Sequence, residues 1–138
     1  MDKNILFFLT PKAEVEYLLE GDTVRQAIEK MEYHNYASIP VLSKEGKYLK
    51  SISEGDLLRF IKKENLNLER AEDASIKDVP SLKDIRAIHV YKNMIDLLDI
   101  IVNQNFVPVL DDRENFIGII TRKVVIEYLE SEIKKSSD

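Results

Sequence analysis

The sequence predicts an α/β (α+β) fold: two copies of one βαββα unit, packed with pseudo-two-fold symmetry. Three observations carry this reading. Ser53 and Thr121 stand 68 residues apart, as do Pro40 and Pro108, so "ASIPVLS" and "NFVPVLD" are one strand written twice. Val24, Ala27, Ile28 and Met31 recur as Met94, Leu97, Leu98 and Ile101, both sets with the i, i+3, i+4, i+7 spacing of a helix with one buried face. A single copy of about 60 residues would bury little core, whereas two copies packed on each other's sheets bury enough.

Each copy reads strand, helix, strand, turn, strand, helix. The first copy places these elements at 15–19, 23–33, 37–43, 48–53 and 54–64, and the second at 86–90, 93–103, 106–111, 115–121 and 122–134. "SKEG" and "DDREN" supply the turn chemistry of two hairpins. Asp22-Thr23 and Asn93 are caps for the two matched helices. The stretch "NILFFL" is too short for a membrane span and no small-residue cleavage site follows it; it reads as a short helix packing an end of the domain or a partner. The linker 65–79 is polar, and Ser75-Ile76-Lys77-Asp78 resembles a capping box opening one turn of helix. Residues 1–67 are expected to hold the first repeat with the N-terminal helix, and 68–138 the linker and second repeat, together one compact module.

Composition narrows the class. With 44% hydrophobic and 33% charged residues, the 138-residue chain suits a globular domain rather than a disordered one. A net charge of −5 argues against a broad nucleic-acid footprint but leaves room for a local cationic site. The absence of cysteine removes disulfides, thiolate zinc sites and thiol nucleophiles, and fits a reducing cytoplasm. His34 and His89 lie in different parts of their copies, with no HExxH, GxSxG or phosphate-loop spacing, so the protein is not expected to be an enzyme and no metal is expected.

The two copies diverge at one spot. In "YLKSISEGDLLRF" the hydroxyl Ser53 is followed three places on by Asp56; in "FIGIITRKVVIEY" Thr121 is followed by Arg122, Lys123 and Val124. Ser53-x-x-Asp56 at a strand-to-helix junction has two readings. It is a capping box that needs no ligand, or the carboxylate holds a vicinal diol while the helix-start N–H groups take a phosphate. Arg122-Lys123 is either a solvated pair or a cationic seat for a phosphate-rich ligand.

The repeated pattern "ASIPVLSKEGKYLKSISEGD" and "NFVPVLDDRENFIGIITRKV" resembles the tandem CBS-domain (Bateman module) family over residues 10–135. The first copy departs from the pattern at Lys50, where a glycine is usual, and the second at Val124 in place of the Asp. The resemblance implies a regulatory adenine-nucleotide sensor, binding AMP, ADP or ATP between the repeats and signalling to a partner protein. One implied site joins Ser53 and Asp56 to Ile85, Arg86 and Ala87 and to Asn105, Phe106 and Val107. The other joins Thr121, Arg122 and Lys123 to Lys12 and Val15 and to Tyr36, Ala37 and Ser38. The second set is also similar to small stand-alone bacterial CBS proteins that bind cyclic di-AMP and regulate a partner enzyme. There Glu14 and Glu16 stand where a basic and a small residue are implied, and two carboxylates would repel a phosphodiester. The family habit further implies a homodimer, an unnamed downstream protein and neither nucleic acid nor membrane as partner. A protein-interaction module binding no small molecule is the remaining alternative.

Overall fold

The computed structural model describes residues 4–34 and 36–137; the predicted outer ends of the repeats, residues 1–3 and 138, lie outside them. Among the described residues the strands are β1 (Thr10–Pro11), β2 (Leu18–Leu19), β3 (Ser38–Leu42), β4 (Tyr48–Ser53), β5 (Ile88–His89), β6 (Phe106–Leu110) and β7 (Phe116–Thr121). The α-helices are α1 (Val24–His34), α2 (Glu54–Glu64), α3 (Leu68–Ala71), α4 (Met94–Ile101) and α5 (Arg122–Ser136). The chain divides into two compact units: Glu16–Asp84, and the N-terminal residues through Val15 together with those from Ile85 onward.

The first unit carries the sheet β2-β3-β4. Alternation in β3 and β4 turns Ile39, Val41 and Ile52 inward, where they meet Leu18, Leu57 and the apolar stripe Val24, Ala27 and Met31 of α1. The start of α1 is a reciprocal cap: Thr23 Oγ1 accepts from Gln26 N–H (3.1 Å) and Gln26 Oε1 accepts from Thr23 N–H (2.8 Å). Ile76 and Val79 of the linker are fully buried in the same core, so this linker is a structural part of the repeat. The capped turn at Ser75 is a short 3-10 turn, Ile76–Asp78, and α3 was unforeseen; Asn67 Oδ1 opens it by accepting from Arg70 N–H.

The second unit carries the sheet β1-β7-β6-β5. Its core joins Val107, Val109 and Ile120 to Met94, Leu97, Ile100 and Ile101 of α4. The expected N-terminal helix is a 3-10 turn, Ile5–Phe8, and it belongs here rather than with the first repeat. Ile5 and Phe8 are buried in this core, and β1 pairs antiparallel with the edge of β7. Gly118 makes that approach possible: its φ is 153°, and a Cβ on it would lie 2.2 Å from the Thr10 carbonyl oxygen.

The prolines shape both sheets in the same way. β2 pairs with β3 only at Val41 and Leu42, and β5 with β6 only at Val109 and Leu110. The ladders stop one residue short of Pro40 and Pro108, which have no N–H to give. The first strands, expected over 15–19 and 86–90, are therefore two residues each.

Candidate functional site

In the first unit the junction of β4 and α2 is a closed hydrogen-bond system. Ser53 Oγ accepts from Asp56 N–H (3.1 Å), and Asp56 Oδ2 accepts from Ser53 N–H (2.9 Å), the predicted capping box. The other oxygen, Oδ1, accepts from Leu82 N–H (3.0 Å) and from Arg59 Nη2 (2.5 Å). Asp56 is only 4% exposed, and both its oxygens have donors from the chain itself. Burial alone would raise its pKa. The N–H groups of Ser53 and Leu82, the Ser53 side chain and Arg59 outweigh it, and the pKa lies below the ordinary 3.8. The sign follows: the stabilisation is complete above the unfolded value and is lost as pH falls through the lower folded one. Acid titration followed by circular dichroism is expected to show the first unit weakening below about pH 4, and Asp56→Asn to flatten that limb.

At the other end of β4, burial pushes the Tyr48 hydroxyl up to about 12, with Asp84 adding to the rise and the Ser51 hydrogen bond opposing it. In the same unit Tyr36 is half-buried and stacks on His34, with ring centroids 5.5 Å apart. Glu16 is drawn to His34 Nε2 (3.3 Å) and Lys30 Nζ (3.7 Å). Its charge is thus partly answered inside the unit, which weakens the expected repulsion of a phosphodiester. Ala37 is exposed and Ser38 half-buried, and the Ala37 carbonyl accepts from Glu54 N–H.

In the second unit α5 opens differently. Thr121 Oγ1 accepts from Val124 N–H (3.3 Å), and the first turn holds Arg122 and Lys123 with no acidic residue. Arg122 is half-buried: its Nε donates to the carbonyls of Ile101 and Gln104, both at 3.0 Å, where α4 ends. Lys123 is exposed. Lys12 lies on a 3-10 turn, Lys12–Glu14, that packs against β7, and Val15 follows it.

The same unit places Ile85, Arg86 and Ala87 just before β5. Gln104 holds this run, accepting from Arg86 N–H (2.8 Å) and donating to the carbonyls of Arg86 (3.1 Å) and Phe106 (3.0 Å). Gln104 was not anticipated, although the 68-residue offset aligns it with Tyr36 and could have drawn attention to it. Asn105 is exposed and Phe106 half-buried. Val107 is fully buried in the core and faces Ile120 in the β6–β7 ladder, so what it can offer a ligand is its backbone. Among the described residues no group of His, Asp and Glu is arranged to hold a metal ion, and no helix is long and apolar enough to cross a membrane.

A family model for the CBS domain matches residues 7–63 and again residues 76–131. The chain belongs to the CBS-domain family. Among curated proteins this CBS pair is similar to Cyclic di-AMP receptor B of Bacillus subtilis (strain 168), with 25% identity over 92% of this chain and 86% of that one. Among solved structures it resembles the CbpB protein of Listeria monocytogenes in complex with c-di-AMP, at 26% identity and a TM-score of 0.83, covering 96% of this chain and 98% of that one. A protein of Geobacillus kaustophilus is 27% identical with a TM-score of 0.84, covering 96% and 99%. The α+β architecture expected from the repeat is the architecture of these CBS pairs.

Proposed function

We propose that this CBS pair is a cyclic di-AMP receptor that regulates a partner protein. The observation that carries the reading is the start of α5. Where the first repeat sets a carboxylate, the second sets Arg122 and Lys123 beside a hydroxyl cap, with no acidic residue in that turn. Helix-start N–H groups, a guanidinium and an ammonium suit a phosphodiester better than a ribose diol. In the second unit Thr121, Arg122 and Lys123 would take a phosphate, helped by Lys12; in the first unit Tyr36, Ala37 and Ser38 would offer a surface to an adenine. The relatives named above support this reading over the AMP, ADP or ATP sensing that the sequence placed first. The Asp56 carboxylate already accepts from three donors of the chain itself, which weakens the main argument for a mononucleotide.

Calorimetric titration with cyclic di-AMP, AMP, ADP and ATP tests the proposal. Cyclic di-AMP is expected to bind at least about tenfold tighter than any mononucleotide, a difference of about 1.4 kcal/mol. AMP or ATP binding while cyclic di-AMP does not would restore the mononucleotide sensor; no binding by any of the four would leave a protein-interaction module.

A homodimer remains part of the proposal. An open groove of about 650 Å³ between α1 and α2 is lined by Ile28, Met31, Leu57, Leu58 and Ile61, with Leu58 58% exposed. Apolar surface of this kind on adjoining helices is what a helix-mediated pair would cover. Light scattering is expected to give twice the chain mass at micromolar concentration, and a monomer mass there would remove the dimer.

A further inference from the structure

We infer that Asp56 is the keeper of a latch over residues 79–82 rather than a nucleotide receptor. The inference rests on the ligand reading above only in its second half, that the first repeat's motif takes no nucleotide.

The strap preceding Ile85 is fastened at three points within the first unit. Lys50 Nζ donates to the Val79 carbonyl (2.6 Å), Ser81 Oγ to the Ser51 carbonyl (2.8 Å), and Leu82 N–H to Asp56 Oδ1 (3.0 Å). Arg59 closes on the same oxygen from α2. Val79 is fully buried beneath, while the Leu82 side chain is 74% exposed, so Leu82 is held by its backbone and not by packing. Burial draws the Lys50 pKa down against the pull of Asp56 and Asp78, consistent with an amine committed to this strap.

The repeat supplies an internal control. At the 68-residue offset, Lys50, Asp56 and Arg59 correspond to Gly118, Val124 and Glu127. Lys50, Asp56 and its partner Arg59 are all changed in the second copy, where Gly118 instead admits β1. The polar divergence between two otherwise matching elements is thus the difference between a fastened strap and an unfastened helix start. A ribose diol that engages both oxygens of Asp56 would compete with Leu82 N–H and Arg59 at Oδ1, and a donor fixed on the same chain competes at a high effective concentration.

Amide hydrogen exchange by NMR, combined with calorimetry, tests this. In Asp56→Asn the Leu82 amide is expected to exchange about 10- to 100-fold faster than in the wild type. Affinities for cyclic di-AMP and AMP are expected to stay within about threefold, well under 1 kcal/mol. Arg59→Gln, which keeps the carboxylate and alters an exposed side chain, is expected to speed Leu82 a few-fold with affinities equally unchanged, and it carries the test if Asp56→Asn does not fold. Unchanged Leu82 exchange in the variants overturns the latch. A loss of affinity for either nucleotide of tenfold or more in Asp56→Asn overturns the second half. If cyclic di-AMP does not bind the wild type, the function proposal falls while Leu82 exchange still decides the latch.

Discussion

Gly118→Ala is expected to lower the melting temperature by about 10–20 °C, from a loss of about 2–5 kcal/mol. Two costs add at one atom. The backbone at Gly118 has φ 153°, a conformation that L side chains rarely adopt. The added Cβ would also sit 2.2 Å from the Thr10 carbonyl oxygen and 3.1 Å from Pro11 Cα, and backbone cannot rotate aside as a flexible side chain can. The cheapest response is to release β1 from β7. Because Ile5 and Phe8 reach the second unit's core through the same segment, their burial is lost with it. Differential scanning calorimetry would read the effect, and a melt within about 2 °C of the wild type would show that β1 contributes little. Lys50→Ala is the matched control at the equivalent position. It removes one hydrogen bond to the Val79 carbonyl and introduces no clash, so a loss of about 1 kcal/mol is expected.

The same comparison shows what could be read from the sequence. Ser53 and Thr121 mark sharp boundaries because a hydroxyl cap ends a strand and begins a helix at one residue. β4 and α2 accordingly fall on the expected 48–53 and 54–64. The paired helix stripes and hairpin turns were legible for the same reason: period and turn chemistry are local. What escaped was non-local. β1 is two residues with a proline, and its only trace was the glycine opposite. The first strands were overextended because their length is set by Pro40 and Pro108, some twenty residues downstream. Asp56 was legible as a cap, but its bonds to Leu82 and Arg59 required the fold, since Leu82 is 26 residues away. A comparison extended past the motif, to Arg59 against Glu127, would have hinted that the first copy uses this carboxylate internally.

Arg122 and Lys123 are expected to separate in a way the sequence alone did not foresee. Read as two cations at a helix start, both should be removable with little cost in stability. The structure divides them. Arg122 Nε bridges the carbonyls of Ile101 and Gln104, closing the end of α4, and both of those residues are buried. Removing it leaves carbonyls without that donor, and Arg122→Ala is expected to lose about 1–3 kcal/mol of stability. Lys123 is exposed with its head in solvent, and Lys123→Ala is expected to stay within about 0.5 kcal/mol of the wild type. On cyclic di-AMP both variants should bind more weakly: Arg122→Ala by about 10- to 100-fold, as a charge-assisted contact is lost, and Lys123→Ala by about 3- to 10-fold. The defect should shrink as salt rises, because salt already weakens the wild type's cation–phosphate attraction. Arg122→Lys is the discriminating variant. It keeps the charge but cannot bridge two carbonyls with one nitrogen while presenting a planar fork. It should recover most of the affinity and little of the stability. Denaturant melts and calorimetry on the three proteins check this. An Arg122→Ala protein as stable as the wild type would show the carbonyl bridge to be incidental. A Lys123→Ala and Arg122→Ala pair that both bind cyclic di-AMP normally would move the phosphate away from α5 altogether.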